Sequence, residues 1–270
     1  MSPAAVPRLS FLARVGAATR GVVSEVCYLV AVLARILRVA FGSRAWTRTT
    51  RNVLARQVYF TGVGALKFTL LLAFLIGISV VLQTKIWLEQ AGQELLFGPI
   101  LTAVVVRELA PLIVNIVVLV RSGSAIVTEL ATMTVSGEVR LLEAQGIDPL
   151  EYLVLPRVVG VTLSVCCLTV FFIVGAFASG YLLSLALSQP TGEEASFMSG
   201  VLASLHWQDL VHLVAKMVVP VTLTTLLCAV DGLGAGSART DIPKAATRAL
   251  SRAIAALFLS SAALSIVSYL

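Results

Sequence analysis

The chain has 270 residues, of which 58% are hydrophobic and only 13% are charged, and its formal net charge is +6. Soluble domains carry roughly 25% charged residues, so this composition, with a mean hydropathy of +0.97, excludes a water-soluble globule and predicts a polytopic membrane protein. The basic residues are spread along the chain without an aromatic-basic cluster, so the positive charge does not indicate nucleic-acid binding.

The first segment, residues 1–57, contains nine arginines and is expected to precede a membrane domain at 58–270. No small-residue cleavage site follows an apolar core, so we expect no cleavable signal peptide. Between Gly21 and Ala40, apolar residues recur at three- and four-residue steps, namely Val22, Val26, Leu29, Leu33, Ile36 and Ala40. This period predicts an amphipathic helix lying in the membrane interface, with a frayed basic tail as the alternative.

Five later stretches approach the roughly 20 apolar residues that cross a bilayer. They are Val58–Leu82, Leu95–Val120, Leu153–Leu187, Leu210–Val230 and Ala249–Leu270. The four cysteines fall in apolar segments, so we expect them to pack in the core rather than form disulfides or a metal site. The predicted fold is therefore an all-α membrane protein with one interfacial helix, five transmembrane helices and a short cytoplasmic helix.

The distribution of Lys and Arg predicts the orientation. Sixteen of the 20 basic residues fall in 1–57, 121–157 and 231–252, and basic residues remain on the cytoplasmic side of a membrane. The opposite connections contain a single basic residue, Lys85. We therefore expect a cytoplasmic N-terminus and a C-terminus on the outer side.

Two adjacent charges, Arg107 and Glu108, stand near the middle of the second span, with twelve uncharged residues on each side. A charge at that depth costs about 3 kcal/mol on insertion scales, so each is expected to find a partner or a water-filled cavity. Adjacent helical residues point about 100° apart, so the two cannot simply neutralise each other.

The fourth span offers those partners. Lys216 is the candidate partner of Glu108, and Asp209 precedes Lys216 by two helical turns and shares its face. Pro111 cannot donate to the carbonyl of Arg107, which predicts a local weakness in the second helix. The functional interpretation is a polar point in a translocation cavity, and the alternative is that these ions only lock helices together.

The connection between the second and third spans is expected to be structured. Ser136 as N-cap and Gly146 as C-terminal stop bound a short amphipathic helix, and Asp148-Pro149 with Glu151 predicts that a second helix begins there. Such a helix suits docking in a groove of another protein. A helix lying flat on the membrane is the alternative.

Several short motifs occur in a fixed order along most of the chain. They are Arg107-Glu108-Leu109-Ala110-Pro111, Arg121-Ser122-Gly123-Ser124-Ala125, Thr128-Glu129-Leu130, Gly146-Ile147-Asp148-Pro149, Tyr152-Leu153-Val154, Asp209-Leu210-Val211 with Lys216, and Ala245-Ala246-Thr247-Arg248. This series closely resembles the MlaE/YrbE family of ABC transporter permeases. Arg140-Leu141-Leu142 departs from the more acidic run that the family commonly has at this place.

The resemblance implies a permease homodimer in the bacterial inner membrane, with its C-terminus in the periplasm. Its implied partners are a cytoplasmic ABC ATPase, an MCE-domain protein on the outer side and in many systems a STAS-domain subunit, and its implied cargo is phospholipid. The substrate pathway would include Arg107, Glu108, Asp209 and Lys216. The residues implied in ATPase coupling are Glu138, Arg140, Leu142, Glu143, Gly146, Asp148 and Pro149.

The sequence contains no GxxxxGK[ST] phosphate-binding loop, so we expect no cofactor in this chain and ATP with Mg²⁺ only in the partner ATPase. A secondary transporter or channel working without an ATPase is the alternative, although such proteins more often show inverted repeats or broken helices. A membrane enzyme would require a nucleophile-base or metal-ligand set within the spans, and the sequence shows none.

Overall fold

The computed structural model describes residues 24, 27–36, 38–39, 48–93, 96–187, 206–236 and 238–269. All regular structure in these ranges is helical, which confirms the predicted all-α class. The chain divides into two compact units, Met1–Ala45 and Trp46–Leu270.

The first unit contains helix α1, Cys27–Ile36. Leu29, Val32 and Ile36 are buried, and their spacing of three and four residues puts them on one side of the helix. The predicted helix is therefore confirmed over its described part, and Leu33 of the predicted apolar stripe is half-buried. Three residues of the predicted apolar stripe, Val22, Val26 and Ala40, lie outside the described residues, and the placement of α1 in a membrane interface stays a prediction.

The second unit is built from α-helices joined in several places by π-helical turns. The α-helices are α2 (Arg48–Val58), α3 (Gly64–Ala91), α4 (Phe97–Leu101), α5 (Ala110–Val118), α6 (Ser124–Val135), α7 (Glu138–Ala144), α8 (Leu155–Leu187), α9 (Trp207–Leu233) and α10 (Asp241–Tyr269). The π-helical turns are Tyr59–Val63, Thr102–Leu109, Leu119–Gly123 and Leu150–Val154.

Five helical stretches of the described chain are long and apolar enough to cross a membrane, as predicted. The first to fifth spans are Thr50–Leu88, Phe97–Val135, Leu150–Leu183, Trp207–Leu233 and Asp241–Ser268. Most run beyond their predicted apolar cores because a helix does not end where its sequence becomes polar. The second span in particular passes through Arg121, so much of the expected loop 121–157 is a continuation of helix.

The fourth span occupies the middle of the second unit. It contacts the second, third and fifth spans. In its most apolar window 61% of the residues are buried, against 11% in the fifth span. Polar side chains on the fourth span are therefore better shielded from the surroundings of the protein than those on the fifth span.

The first and third spans pack through small residues, which we call the glycine seam: Ala73, Gly77, Gly175, Ser179 and Gly180. A Cβ atom at Gly77 would overlap the backbone of Ala176 and the hydroxyl of Ser179, and one at Gly180 would overlap Val81. Only glycine permits this approach of two backbones, which is a common means of packing helices in membranes, where hydrophobic burial gives little drive.

The predicted weakness before Pro111 is present as a π-helical turn over Thr102–Leu109. The backbone N–H of Ala110 donates to the carbonyl of Val105, five residues back. Because Pro111 has no N–H, the helix on its N-terminal side is free to widen. The widened turn contains both Arg107 and Glu108.

The prediction for the cysteines is only partly correct. Cys228 is buried, but Cys27 and Cys167 are exposed, and all four are free thiols. The outer faces of membrane helices are apolar as well, so an apolar setting does not distinguish a core position from a lipid-facing one.

Candidate functional site

The two charges of the second span each meet a charge of opposite sign on the fourth span. The Lys216 ammonium donates to Oε1 of Glu108, which is the predicted pairing. Nη2 of Arg107 lies 2.5 Å from Oδ1 of Asp209. We call these four residues the ion seam.

The exposure of the ion seam is asymmetric. The side chains of Lys216 and Asp209 are 3% and 2% exposed, whereas those of Glu108 and Arg107 are 42% and 31% exposed. The fourth span thus provides buried counter-charges, and the second span holds two charges that each have one open side.

The fifth span contributes a further hydrogen-bond partner to Glu108. The Ser265 hydroxyl lies 3.1 Å from Oε1 of Glu108 and 3.0 Å from the carbonyl of Ser261. Sequence reasoning missed Ser265 because it is one of several serines in an otherwise unremarkable apolar helix. The Glu108 carboxylate of the second span therefore has partners on both the fourth and the fifth spans.

A buried amide supports the backbone beside Lys216. Pro220 lies inside α9 and cannot donate to the carbonyl of Lys216, four residues back. Nδ2 of Asn115, a residue that is 2% exposed, donates to this carbonyl at 3.0 Å. An unpaired buried carbonyl would be unfavourable, so Asn115 stabilises the position of Lys216. The sequence signals for this contact are a proline and an asparagine, each deep in an apolar run.

Asp209 has a second role at the start of α9. Its Oδ2 accepts a hydrogen bond from the backbone N–H of His206 at 2.9 Å, as part of a capping box. The carboxylate thus pairs with Arg107 through one oxygen and caps the helix through the other. Arg107 retains one unsatisfied group, since its buried Nε–H has no hydrogen-bond partner.

The short helix after the second span is present as α7, Glu138–Ala144, and it has no buried residue. Ser136 is not its N-cap, so that prediction is wrong. Gly137, with φ of 83°, occupies the cap position, and the Ser136 hydroxyl lies 3.0 Å from Oε1 of Glu138. A glycine adopts this left-handed conformation without strain, and the chain can then turn sharply into α7.

The end of α7 agrees with the sequence. Gly146 has φ of 75°, and the N–H of Ile147 bonds to the carbonyl of Leu142 at 3.0 Å. Oδ1 of Asp148 then accepts from the N–H of Leu150 at 2.9 Å, just after Pro149. The helix that is expected after Asp148 begins with the π-helical turn Leu150–Val154 and continues as α8. Arg140 and Glu143 are exposed and Leu142 is half-buried.

A groove of about 520 Å³ runs along α6 and is lined by Ser124, Ala125, Thr128, Glu129, Thr132 and Met133. It contains none of the four charges of the ion seam. At its rim, Glu129 pairs at 3.0 Å with Arg157, whose side chain is only 5% exposed. Within the described part of the chain, no group of three or more His, Cys, Asp or Glu residues is arranged to hold a metal ion.

The model of the Permease MlaE family matches residues 54–267 of this chain. That range includes the ion seam, α7 and all but the first residues of the first span.

Three relatives illustrate the similarity. A probable ABC transporter permease of Rickettsia typhi is 24% identical over 74% of this chain and 76% of its own length. The intermembrane phospholipid transport system permease protein MlaE of Haemophilus influenzae is 26% identical over 73% of this chain and 75% of its own length. The chloroplastic protein TRIGALACTOSYLDIACYLGLYCEROL 1 of Arabidopsis thaliana is 36% identical, but the match spans only 55% of this chain and 41% of the plant protein.

Proposed function

The chain belongs to the MlaE permease family, and from that premise we propose that it is the membrane subunit of an ATP-driven phospholipid transporter. The observation that carries this proposal is the ion seam at mid-span. Two buried charges of the fourth span hold two partly exposed charges of the second span in place. Charged residues that only hold two helices together gain nothing from partial exposure. Charged residues that contact a passing ligand must be exposed on one side.

The order of the two charges suits a lipid headgroup. Arg107 presents a partly exposed cation beside the partly exposed anion of Glu108. A guanidinium forms charge-assisted hydrogen bonds with phosphate, and a carboxylate does so with an ammonium group. A phospholipid headgroup passing this point would meet Arg107 with its phosphate and Glu108 with a positively charged group where it has one.

We assign coupling to α7 and the turn that follows it. The candidate contacts remain Glu138, Arg140, Leu142, Glu143, Gly146, Asp148 and Pro149. Glu138, Arg140 and Leu141 are exposed, with Leu141 at 62%. α7 is a short helix between the second and third spans, and it offers an ATPase an exposed docking surface. A displacement of α7 would move both spans together.

The remaining assembly follows from the family resemblance. ATP and Mg²⁺ would bind in the separate ATPase chain. A second copy of this permease, an MCE-domain protein on the outer side and a STAS-domain subunit would complete the transporter. The proposed location is the bacterial inner membrane, with the N-terminus in the cytoplasm and the C-terminus in the periplasm.

The direct test is Glu108→Gln in the assembled transporter, reconstituted in vesicles with labelled phospholipid. We expect transport to fall at least about tenfold, because the open side loses its charge and Lys216 loses its counter-ion. Purification yield and the amount of ATPase that co-purifies are expected to stay near those of the unmodified protein.

Asp241→Asn is the matched control. Asp241 forms an ion pair at 3.3 Å with Lys244 on the surface of α10, remote in sequence from the ion seam. Neutralising this carboxylate should leave transport unchanged. If Glu108→Gln also transports normally, or if it fails only because the complex no longer assembles, the ions are a lock and the proposal is wrong.

A further inference from the structure

Arg121 leaves its own helix to dock on the first span. Its Nη1 donates to the backbone carbonyl of Gly64, and its guanidinium carbon lies 5.6 Å from the centre of the Phe60 ring. A Cβ at position 64 would lie 2.5 Å from Nη2 of Arg121. The absence of a side chain at Gly64 therefore makes room for the guanidinium on the surface of the first span.

Lys67 approaches the same place from one helical turn away. It is exposed near the beginning of α3, three residues after Gly64. Residues three apart on a helix are neighbours, with about 5 to 6 Å between their Cβ atoms. Side chains lean toward the N-terminus of their helix, which directs the Lys67 side chain toward the turn on which Arg121 docks.

This pair of cations has no acidic partner among the described residues. No ion pair within those ranges includes Lys67 or Arg121. The guanidinium has five N–H donors, and its one described hydrogen bond goes to Gly64. Two converging cations repel each other and are unfavourable on an apolar surface, unless an anion lies between them.

The depth of the pair indicates which anion is available. Arg121 follows Glu108 by thirteen residues on one continuous helix, which corresponds to about 20 Å along its axis. Half the thickness of a hydrocarbon core is about 15 Å. With Glu108 near the middle of the membrane, Arg121 lies at the level of the lipid phosphates, on the side where the basic residues of the chain are concentrated.

We propose that Lys67 and Arg121 hold the phosphate of a membrane phospholipid against the exposed, lipid-facing surface of the first span. Arg121 provides the planar, directional contact and Lys67 a point charge, as is usual when both bind phosphate. Exposed apolar residues that follow on the same helix, among them Phe68 and Leu71, would contact the acyl chains. This site is distinct from the ion seam and does not depend on the transport function.

The test measures lipid retained by the full-length chain in mild detergent. Phosphatidylglycerol is added, and bound lipid is counted by native mass spectrometry for the unmodified protein and for Lys67→Gln. We expect the variant to bind about tenfold more weakly, as for the loss of one charge-assisted hydrogen bond. Lys67→Arg should retain binding, and diacylglycerol, which has no phosphate, should bind neither protein at this site. Lys67 is exposed, so its replacement should not impair folding.

Lys85→Gln is the matched control, since it removes the same charge from the opposite end of the same helix. It should bind phosphatidylglycerol as the unmodified protein does. Equal binding by Lys67→Gln, or an equal loss in Lys85→Gln, would overturn the proposal. So would displacement of the lipid by excess inorganic phosphate, because the site would then bind free anions rather than a lipid.

Discussion

The glycine seam and the ion seam join helices of the same protein by opposite means. Between the first and third spans, the absence of side chains at Gly77 and Gly180 brings two backbones together. Between the second and fourth spans, long charged side chains meet in two ion pairs. Two close-packed backbones have little freedom to move relative to each other. Charged side chains, in contrast, can exchange ion-pair partners while the distance between their helices stays similar.

The difference suggests a division of labour. Stability should depend chiefly on the glycine seam, because packing and close approach are the main attractive terms between membrane helices. Function should depend chiefly on the ion seam, where charge is held at a high energetic cost. Variants in each region therefore ought to separate the two properties.

The largest effect on stability is expected for Gly77→Ala. Its methyl group would overlap the Ala176 backbone, which cannot move without displacing α8, so we expect a loss of about 3 kcal/mol, at the upper end for overpacking. Thermal unfolding in detergent measures it. Gly62→Ala is the control, because its Cβ would lie 3.4 Å from Oγ of Ser164, an ordinary contact. A similar unfolding temperature for the two variants would remove the distinction between the seams.

Lys216→Met should have a smaller effect on stability and a larger one on transport. Glu108 keeps its hydrogen bond to Ser265 and is partly exposed, so we expect a loss of about 2 kcal/mol, less than for a fully buried pair. Transport should fall at least about tenfold, as for Glu108→Gln. Adding Glu108→Gln to Lys216→Met should recover stability without recovering transport. Recovery of transport in the double variant would mean that the charges are dispensable.

Asn115→Leu is expected to cost about 1 kcal/mol, because the carbonyl of Lys216 then has no donor. The cost should be smaller in a Pro220→Ala background, where an alanine N–H can bond to that carbonyl within the helix. A double-mutant cycle by thermal unfolding measures this coupling. Strictly additive effects would show that Asn115 and Pro220 act independently.

Arg140→Glu changes neither seam and should have the smallest effect on stability, within about 0.5 kcal/mol. It reverses a charge on the exposed face of α7, so we expect stimulation of the partner ATPase by the permease to decline. Arg239→Glu, a charge reversal in the other basic connection, is its control. Unchanged stimulation in Arg140→Glu would remove Arg140 from the docking contact.

Much of the fold and part of the ion seam could be predicted from the sequence. The five spans follow from the length of apolar runs, because a membrane imposes a minimum length on each helix. The pair of Glu108 and Lys216 follows from the cost of a lone charge at depth, which leaves few alternatives for either residue. Gly146 and Asp148 act as expected because the ends of helices depend on local conformation.

Other features could not be predicted because they depend on which helices become neighbours. Nothing local distinguishes Ser265 from other serines of the fifth span, and its role exists only because α10 passes beside Glu108. The glycine seam requires the register between α3 and α8, which one helix alone does not specify. Ser136 failed as an N-cap because Gly137 could take the left-handed conformation that the turn requires.

The π-helical turn at Thr102–Leu109 allows one helix to face two different directions. On its N-terminal side α4 packs against α3, whereas on its C-terminal side α5 packs against α8 and α9. The extra residue in the turn changes the angular phase of the helix at the point where its neighbours change. Deleting one residue here would rotate α4 by about 100° relative to α5, so α4 and α5 could no longer both keep their present neighbours.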